Sequence, residues 1–278
     1  MMAEFIAYRA AVDYLTVTFW DSQVWSSCVT LLGGVADEDK CVPARMMMYT
    51  GHRCTWNDGS IFWGEGVHSD RKHFIIQVSG AASDRAALAL KSVKGSYWNI
   101  TRIDLQITLD LPEWYKSRSL VDTLRKAEWK SKPRKVTLID GNGDDTVYIG
   151  SRTSDRYIRI YVKEKDFLRF EVELKGDYAK AAWERYKAGG YLTVAGMLVT
   201  EMVKLPKHPI VDVFAAQLKQ ANAVEIMGAK PVKTPSKTFR WFVTQVAPAI
   251  ERLLNDHDTG AITRDVLLSL LESGSCDE

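Results

Sequence analysis

Two neighbouring runs between Arg156 and Lys175 restrict the fold more than any other part of the chain. In the first, Tyr157, Arg159, Tyr161 and Lys163 alternate with Ile158, Ile160 and Val162. In the second, Arg169, Glu171, Glu173 and Lys175 alternate with Phe170, Val172 and Leu174. Residues two apart in a strand share a face. Each run is therefore predicted to be a strand with an apolar face for a core and a charged face of functional character.

The same period recurs upstream. VDYLTVTFW (12–20) and HFIIQVSG (73–80) read as strands rich in β-branched and aromatic residues. NITRIDLQITLDL (99–111) places Arg102, Asp104, Gln106, Thr108 and Asp110 on one face, and Ile103, Leu105, Ile107 and Leu109 on the other. Turn signals at Asn57-Asp58-Gly59 and Gly141-Asn142-Gly143 predict hairpins. SDRAALALKSV is predicted to be a helix capped by Ser83-Asp84. RSLVDTLRKAEW reads as a second helix, and DYAKAAWERYKAGG as a third that stops at Gly189-Gly190. From about Tyr191 the pattern is helical, broken by a Pro- and Lys-rich stretch from Pro231 to Trp241 and resumed in two C-terminal helices. The order predicts an α+β fold: a largely antiparallel central sheet, flanking helices and a helical C-terminal region. The expected division is 1–190 and 191–278.

Composition narrows the classes. With 278 residues, 46% hydrophobic and 26% charged, the chain is expected to be globular and soluble. A net charge of +2 decides nothing about nucleic acid; local clustering does. Cys28, Cys41, Cys54 and Cys276 form no CxxC pair, so reduced cytoplasmic thiols are expected rather than a disulfide framework or a zinc ribbon. There is no run of about 18 apolar residues, so no membrane span is expected. The N-terminus carries no cleavage-type signal and reads as mature protein. HExxH, GxGxxG and GxSxG are all absent, which removes support for a zinc hydrolase, a Rossmann enzyme and a serine hydrolase.

The charged faces then carry the chemistry. Asp104, Glu171 and Glu173 offer carboxylate oxygens of the kind that Mg²⁺ or Mn²⁺ prefers. Their plainer reading is acids on half-exposed strands, each paired with a neighbouring Arg or Lys. Tyr157 and Tyr161 flank Arg159, with Lys163 beyond, so either phenol has cations near it that would favour phenolate and hold a phosphate. Their plainer reading is tyrosines packed on a sheet surface. The turn GSRTSDR, with Ser151, Arg152 and Ser154, offers hydroxyls and guanidinium groups to a phosphate backbone, or is simply a turn. Lys116, Arg118, Arg125, Lys126, Lys130, Lys132, Arg134 and Lys135 lie close together, with Trp114 and Tyr115 just before them and Trp129 among them. That mixture suits the electrostatic and stacking terms of DNA binding, and equally a solvated helix face.

Five short strings occur in order: Asp13-Tyr14-Leu15-Thr16, Thr101-Arg102-Ile103-Asp104, Tyr148-Ile149-Gly150-Ser151-Arg152-Thr153-Ser154, Arg159-Ile160-Tyr161-Val162-Lys163, and Arg169-Phe170-Glu171-Val172-Glu173-Leu174-Lys175. Together they resemble the replication initiation factor family of rolling-circle plasmid and phage initiators and related conjugative relaxases. The likeness runs from about Asp13 to Ala179, and FRWFVTQVAPAIERL is similar to the tail of phage-type members. The short connection between the two opening strands lacks an insertion that many plasmid members carry, which favours a phage or integrative-element origin.

The resemblance implies a metal-dependent nicking-joining endonuclease, with residues 1–190 as its nicking domain. A tyrosine, Tyr161 by preference or Tyr157, would attack one strand at an origin and keep a 5′-phosphotyrosine link. Arg159 and Lys163 would stabilise charge, and Asp104, Glu171 and Glu173 would hold Mg²⁺ or Mn²⁺. Ser151, Arg152, Ser154, Lys126, Lys130, Lys132 and Arg134 would contact DNA. The implied partners are origin DNA, as duplex and as single-stranded nick site, a second copy of the chain and a host helicase, in the bacterial cytoplasm. A non-cleaving DNA-binding regulator built on the same fold is the alternative.

Overall fold

Strands with one apolar face need a layer of helices to cover it, and the chain supplies one. In a computed structural model, residues 10–32, 41–56, 59–68, 71–94, 97–110, 136–139, 145–163, 167–205 and 209–218 are described. The strands are β1 (Ala11–Phe19), β2 (Cys41–Met46), β3 (Tyr49–Trp56), β4 (Gly59–His68), β5 (Arg71–Gly80), β6 (Trp98–Asp110), β7 (Val136–Ile139), β8 (Thr146–Ile149), β9 (Arg156–Lys163) and β10 (Phe167–Lys175). The helices are α1 (Ser22–Leu31), α2 (Ala82–Leu90), α3 (Gly176–Val203) and α4 (Pro209–Gln217). The strands form one sheet in the order β2-β3-β4-β5-β1-β6-β10-β9-β8-β7, and every pair is antiparallel. The expected α+β class with a large antiparallel sheet is what the chain adopts.

The apolar sides of the strands merge with the helices into one hydrophobic core that includes Leu15, Val17, Ile76, Ile103, Leu105, Ile160, Phe170 and Val172. Trp25 of α1 stacks on Phe74, Trp183 of α3 meets Trp98 edge-on, and Phe214 of α4 packs on Phe170. The expected stop at Gly189-Gly190 takes the form of a kink, because Gly190 leaves helical geometry at φ 60° and the helix resumes to Val203. A positive φ suits glycine, which has no Cβ to clash. Among the described residues no helix is long and apolar enough to cross a membrane.

Two β-bulges adjust the alternation. Asp13 of β1 and Thr101 of β6 are each one residue more than the partner strand supplies. Each insertion resets the period, so Val12 and Leu15 both face the core, as do Ile100 and Ile103. Asp13 is thereby released from the ladder. Ser83 and Asp84 act on this segment instead of capping α2: Ser83 Oγ donates to Asp13 O, and Val12 N–H donates to Asp84 Oδ1. That corrects the capping expectation.

Two more expectations change. Cys41 and Cys54 face each other across β2 and β3 and form a disulfide, although no spacing motif announces it. Strand β2 and helix α1 carry no strong period and go unpredicted. The chain divides into compact units 1–229 and 230–278, and all described residues belong to the first. The RSLVDTLRKAEW helix, the basic cluster with Lys126, Lys130, Lys132 and Arg134, the 231–241 stretch, the C-terminal helices and Cys276 lie outside the described residues.

On the core side, Arg156 at the start of β9 meets the fully buried Glu201 of α3, Nε to Oε2 at 3.2 Å, and Lys204 adds a contact of 2.9 Å. Arg156→Ala would leave that carboxylate with Lys204 as its cation among the described residues. Such a loss is expected to cost about 3 kcal/mol in urea unfolding. Glu201→Gln in the same background should recover part of it, and no recovery would mean that Arg156 acts through packing on Tyr178 instead.

Candidate functional site

The polar faces of β1, β6, β10, β9 and β8 form a lattice of side chains in register. One row runs Tyr14, Asp104, Glu173 and Tyr157. The next runs Gln106, Glu171, Arg159 and Tyr148. The third runs Thr108, Arg169, Tyr161 and Thr146. Opposed residues in an antiparallel pair lie about 4.5–5.5 Å apart at Cβ, so the lattice itself sets which groups can touch.

Three carboxylates are buried in it: Asp104, Glu171 and Glu173 have 0%, 1% and 7% exposure. Buried charge persists only if paired. Arg102 Nε and Nη2 donate to Asp104 at 2.8 and 2.6 Å, and Nη2 lies 2.8 Å from Glu173, while Lys175 takes the other oxygen of Glu173 at 2.5 Å. Tyr14 lies under the Arg102 guanidinium, 4.0 Å from ring centre to Cζ. Arg159 Nη2 donates to Glu171 Oε1 and, at 3.1 Å, to Asp104 Oδ2, and lies 4.0 Å from Glu173. One guanidinium thus stands among all three acids. Its Nε is buried with no hydrogen-bond partner among the described residues. Burial, with the neighbouring carboxylates adding to it, holds Asp104 and Glu171 above the usual carboxylate range despite the arginines.

As a donor set, three carboxylates on one patch suit a hard divalent cation. As an arrangement, they are committed to arginines: among the described residues no group of three or more His, Cys, Asp or Glu is disposed to hold a metal ion. The acids could take a cation only if Arg159 gave up its place.

Tyr161 is half-buried beside this cluster, and its hydroxyl donates to Glu171 Oε2 at 3.2 Å. Burial and the Glu171 charge push the phenol up to about 12. The cation that faces Tyr161 across the strands is Arg169. Arg169 is held by Thr108 at 2.8 Å and by the bulge residue Asp13 at 2.9 Å. A cavity of about 700 Å³ begins at this end, lined by Asp13, Gln106, Lys163 and Arg169 from the sheet and by Asp84 and Arg85 of α2. Lys163 therefore lies on the cavity wall, and Arg159 lies among the acids.

Tyr157 has a different setting. It is 4% exposed, and its ring stacks on Tyr148 at 5.5 Å and 13°. The following features belong to the 150–155 turn. Gly150 sits at φ 107°, Ser151 Oγ pairs with Thr153 Oγ1, and Ser154 Oγ lies 2.7 Å from Ser151 O. The two serines thus tie the turn together, while Arg152 is exposed and places its guanidinium over the Tyr148 ring.

Asp13, Tyr14, Arg102, Thr108 and Arg169 belong to the site in addition to the residues selected from sequence. Arg102, Thr108 and Arg169 share the alternating faces that singled out the acids, so the same period marks them. Asp13 carries no such mark, because its position depends on the bulge.

The profile of the replication initiation factor family matches residues 98–267, more than half of the chain and every site strand from β6 to β10. No curated protein matches the chain. On that match, over strands that bring the tyrosines, arginines and acids together on one face, the chain belongs to the replication initiation factor family.

Proposed function

We propose that this replication initiator nicks one strand of its origin through Tyr161. The observation that carries the reading is the hydrogen bond from the Tyr161 hydroxyl to Glu171, with Arg169 in register and itself on the wall of a cavity. A phenol held near 12 is ionised in only about one molecule in 10⁵ at neutral pH. Attack therefore needs a base to take the proton as the bond forms. Glu171 is in contact, and its raised proton affinity suits that task. The phenolic oxygen bonds to phosphorus, the bond from phosphorus to the 3′ oxygen breaks, and that oxygen takes a proton from solvent. The protein keeps the 5′ phosphate, and the free 3′-hydroxyl primes synthesis. Arg169 offers charge to the phosphoryl oxygens from the neighbouring strand.

A Mg²⁺ or Mn²⁺ ion held by Asp104, Glu171 and Glu173 would add charge neutralisation at the phosphate. Holding it would require Arg159 to withdraw from the three acids. The same reading places the protein in a bacterial cytoplasm with origin DNA, a second copy and a host helicase as partners.

The test is incubation with supercoiled plasmid bearing the cognate origin, with Mn²⁺ or with EDTA. The expected product is an open circle with protein joined to a 5′ end, formed with Mn²⁺ and absent with EDTA. Tight origin binding with no adduct under either condition would leave the non-cleaving regulator as the function.

A further inference from the structure

We infer that Tyr148, Tyr157 and Arg152 form a pocket that takes one unpaired base of the nicked strand and so helps set which sequence is cut. The inference rests on the nicking reading for its place in the reaction, but the pocket stands on its own geometry. A cavity of about 360 Å³, lined by Ile139, Tyr148, Gly150, Ser151, Arg152 and Tyr157 among others, lies at the end of the polar lattice opposite the one that opens beside Arg169. Tyr148 and Tyr157 stack with their planes 13° apart and both line it. Arg152 stands 5.7 Å above the Tyr148 ring, and its charge interacts with both phenols.

Each part suits a nucleotide. The ring pair is already packed, so a base that takes the place of Arg152 over Tyr148 meets an aromatic face that needs no further ordering. An exposed guanidinium beside it can pair with a phosphate or with a base edge. Gly150 adopts φ 107° where the wall of the pocket turns, a conformation that admits no side chain without strain. The serine hydroxyls are engaged within the turn, which leaves the exposed Arg152 as the cation at the mouth.

The pocket also lies at a useful distance. Tyr157 and Tyr161 are four residues apart on β9, about 13 Å by strand rise. At the 3.4 Å rise of a stacked strand that span is at most about four nucleotides. A strand running along β9 with its scissile phosphate at Tyr161 would bring a base within those four positions to the tyrosine pair. Unpaired bases can enter and paired ones cannot, so the pocket distinguishes a melted origin from duplex.

The experiment measures binding in EDTA, where no cleavage occurs, so it reads the pocket whether or not Tyr161 is the nucleophile. Fluorescence anisotropy would follow a short random-sequence single strand and a duplex of equal length. Tyr148→Leu is expected to weaken single-strand binding at least about fivefold, the loss of one stacked base, with duplex binding retained. Tyr148→Phe keeps the ring and should retain most of the affinity. Arg152→Gln, a change at an exposed residue that threatens no fold, should weaken single-strand binding in the same direction. A strand carrying 2-aminopurine walked across the cognate nick site should show quenching at one position within four nucleotides of it, lost in Tyr148→Leu. Equal loss of single-strand and duplex binding, single-strand affinity unchanged in Tyr148→Leu, or quenching with no preferred position would each overturn the pocket. Failure of the wild type to form a covalent adduct would instead count against the nicking reading alone.

Discussion

Tyr161→Phe is expected to remove covalent adduct formation on a single-stranded origin oligonucleotide, by at least on the order of 10³-fold, as loss of a nucleophile does. The ring stays, so packing survives. The lost hydrogen bond to Glu171 is a single contact of a half-buried group, worth about 1 kcal/mol in folding. Tyr157→Phe should still form the adduct, at a rate reduced several-fold by the altered contact with Arg152. The two tyrosines share a strand face yet differ in every other respect. Tyr161 is half-buried and touches an acid that can accept its proton, and it faces a cation that lines a cavity. Tyr157 is closed over by Tyr148, and the nearby cation is the exposed Arg152 rather than a buried partner of an acid. Glu171→Gln should lower the rate by roughly 10²- to 10⁴-fold, because the amide cannot take the phenol proton. An adduct that persists with Tyr161→Phe and vanishes with Tyr157→Phe would transfer the chemistry to the other end of the strand. One that survives both changes would end the tyrosine mechanism on β9.

Much of this site could be read from the sequence because it is written in a period of two. Arg102, Asp104, Gln106 and Thr108 on β6 and Arg169, Glu171 and Glu173 on β10 alternate with apolar residues without interruption, so both faces follow directly. Burial on the polar face was not legible in the same way. Glu171 and Glu173 read as half-exposed acids, yet neighbouring strands on both sides and the arginines between them seal the row almost completely. Bulges were illegible too, since an inserted residue leaves the string looking like plain alternation. Asp13 became part of the site only because β1 gains a residue against β6 there. The Cys41–Cys54 bond depends on the β2–β3 register, and register across a Met47-Met48 turn has no signature in the residues themselves. The choice between Tyr157 and Tyr161 needed the partners of each ring, which sit on strands remote in sequence.

Arg159→Ala is expected to destabilise the protein by about 3 kcal/mol or more, the cost of leaving buried carboxylates without their cation. Asp104 and Glu173 would keep Arg102, and Glu173 would keep Lys175. Glu171 would bear most of the loss, since Arg159 is the cation that pairs with it. Burial already raises the proton affinity of Glu171, and removal of Arg159 raises it further. A carboxyl whose affinity for protons is higher in the folded state favours folding at low pH and opposes it as pH rises through the raised value. The variant should therefore lose most stability at neutral and alkaline pH and recover toward the wild type as the medium becomes acidic. Arg159→Ala with Glu171→Gln should be more stable than Arg159→Ala alone. Metal gives the sharper measurement. If the three acids can serve as a divalent site, Mn²⁺ competes with Arg159 in the wild type but not in the variant. A concentration of one hundred times Kd would then restore about 2.7 kcal/mol to Arg159→Ala, and EDTA would reverse it. The wild type should gain less, because its guanidinium must first be displaced. Melting curves with and without Mn²⁺ decide the matter. A shift confined to the variant and abolished by Asp104→Asn would establish that the acids bind the ion where Arg159 now stands. Identical curves for both proteins at every Mn²⁺ concentration would make the cluster an ion-pair network alone, and any metal needed for nicking would have to be held elsewhere.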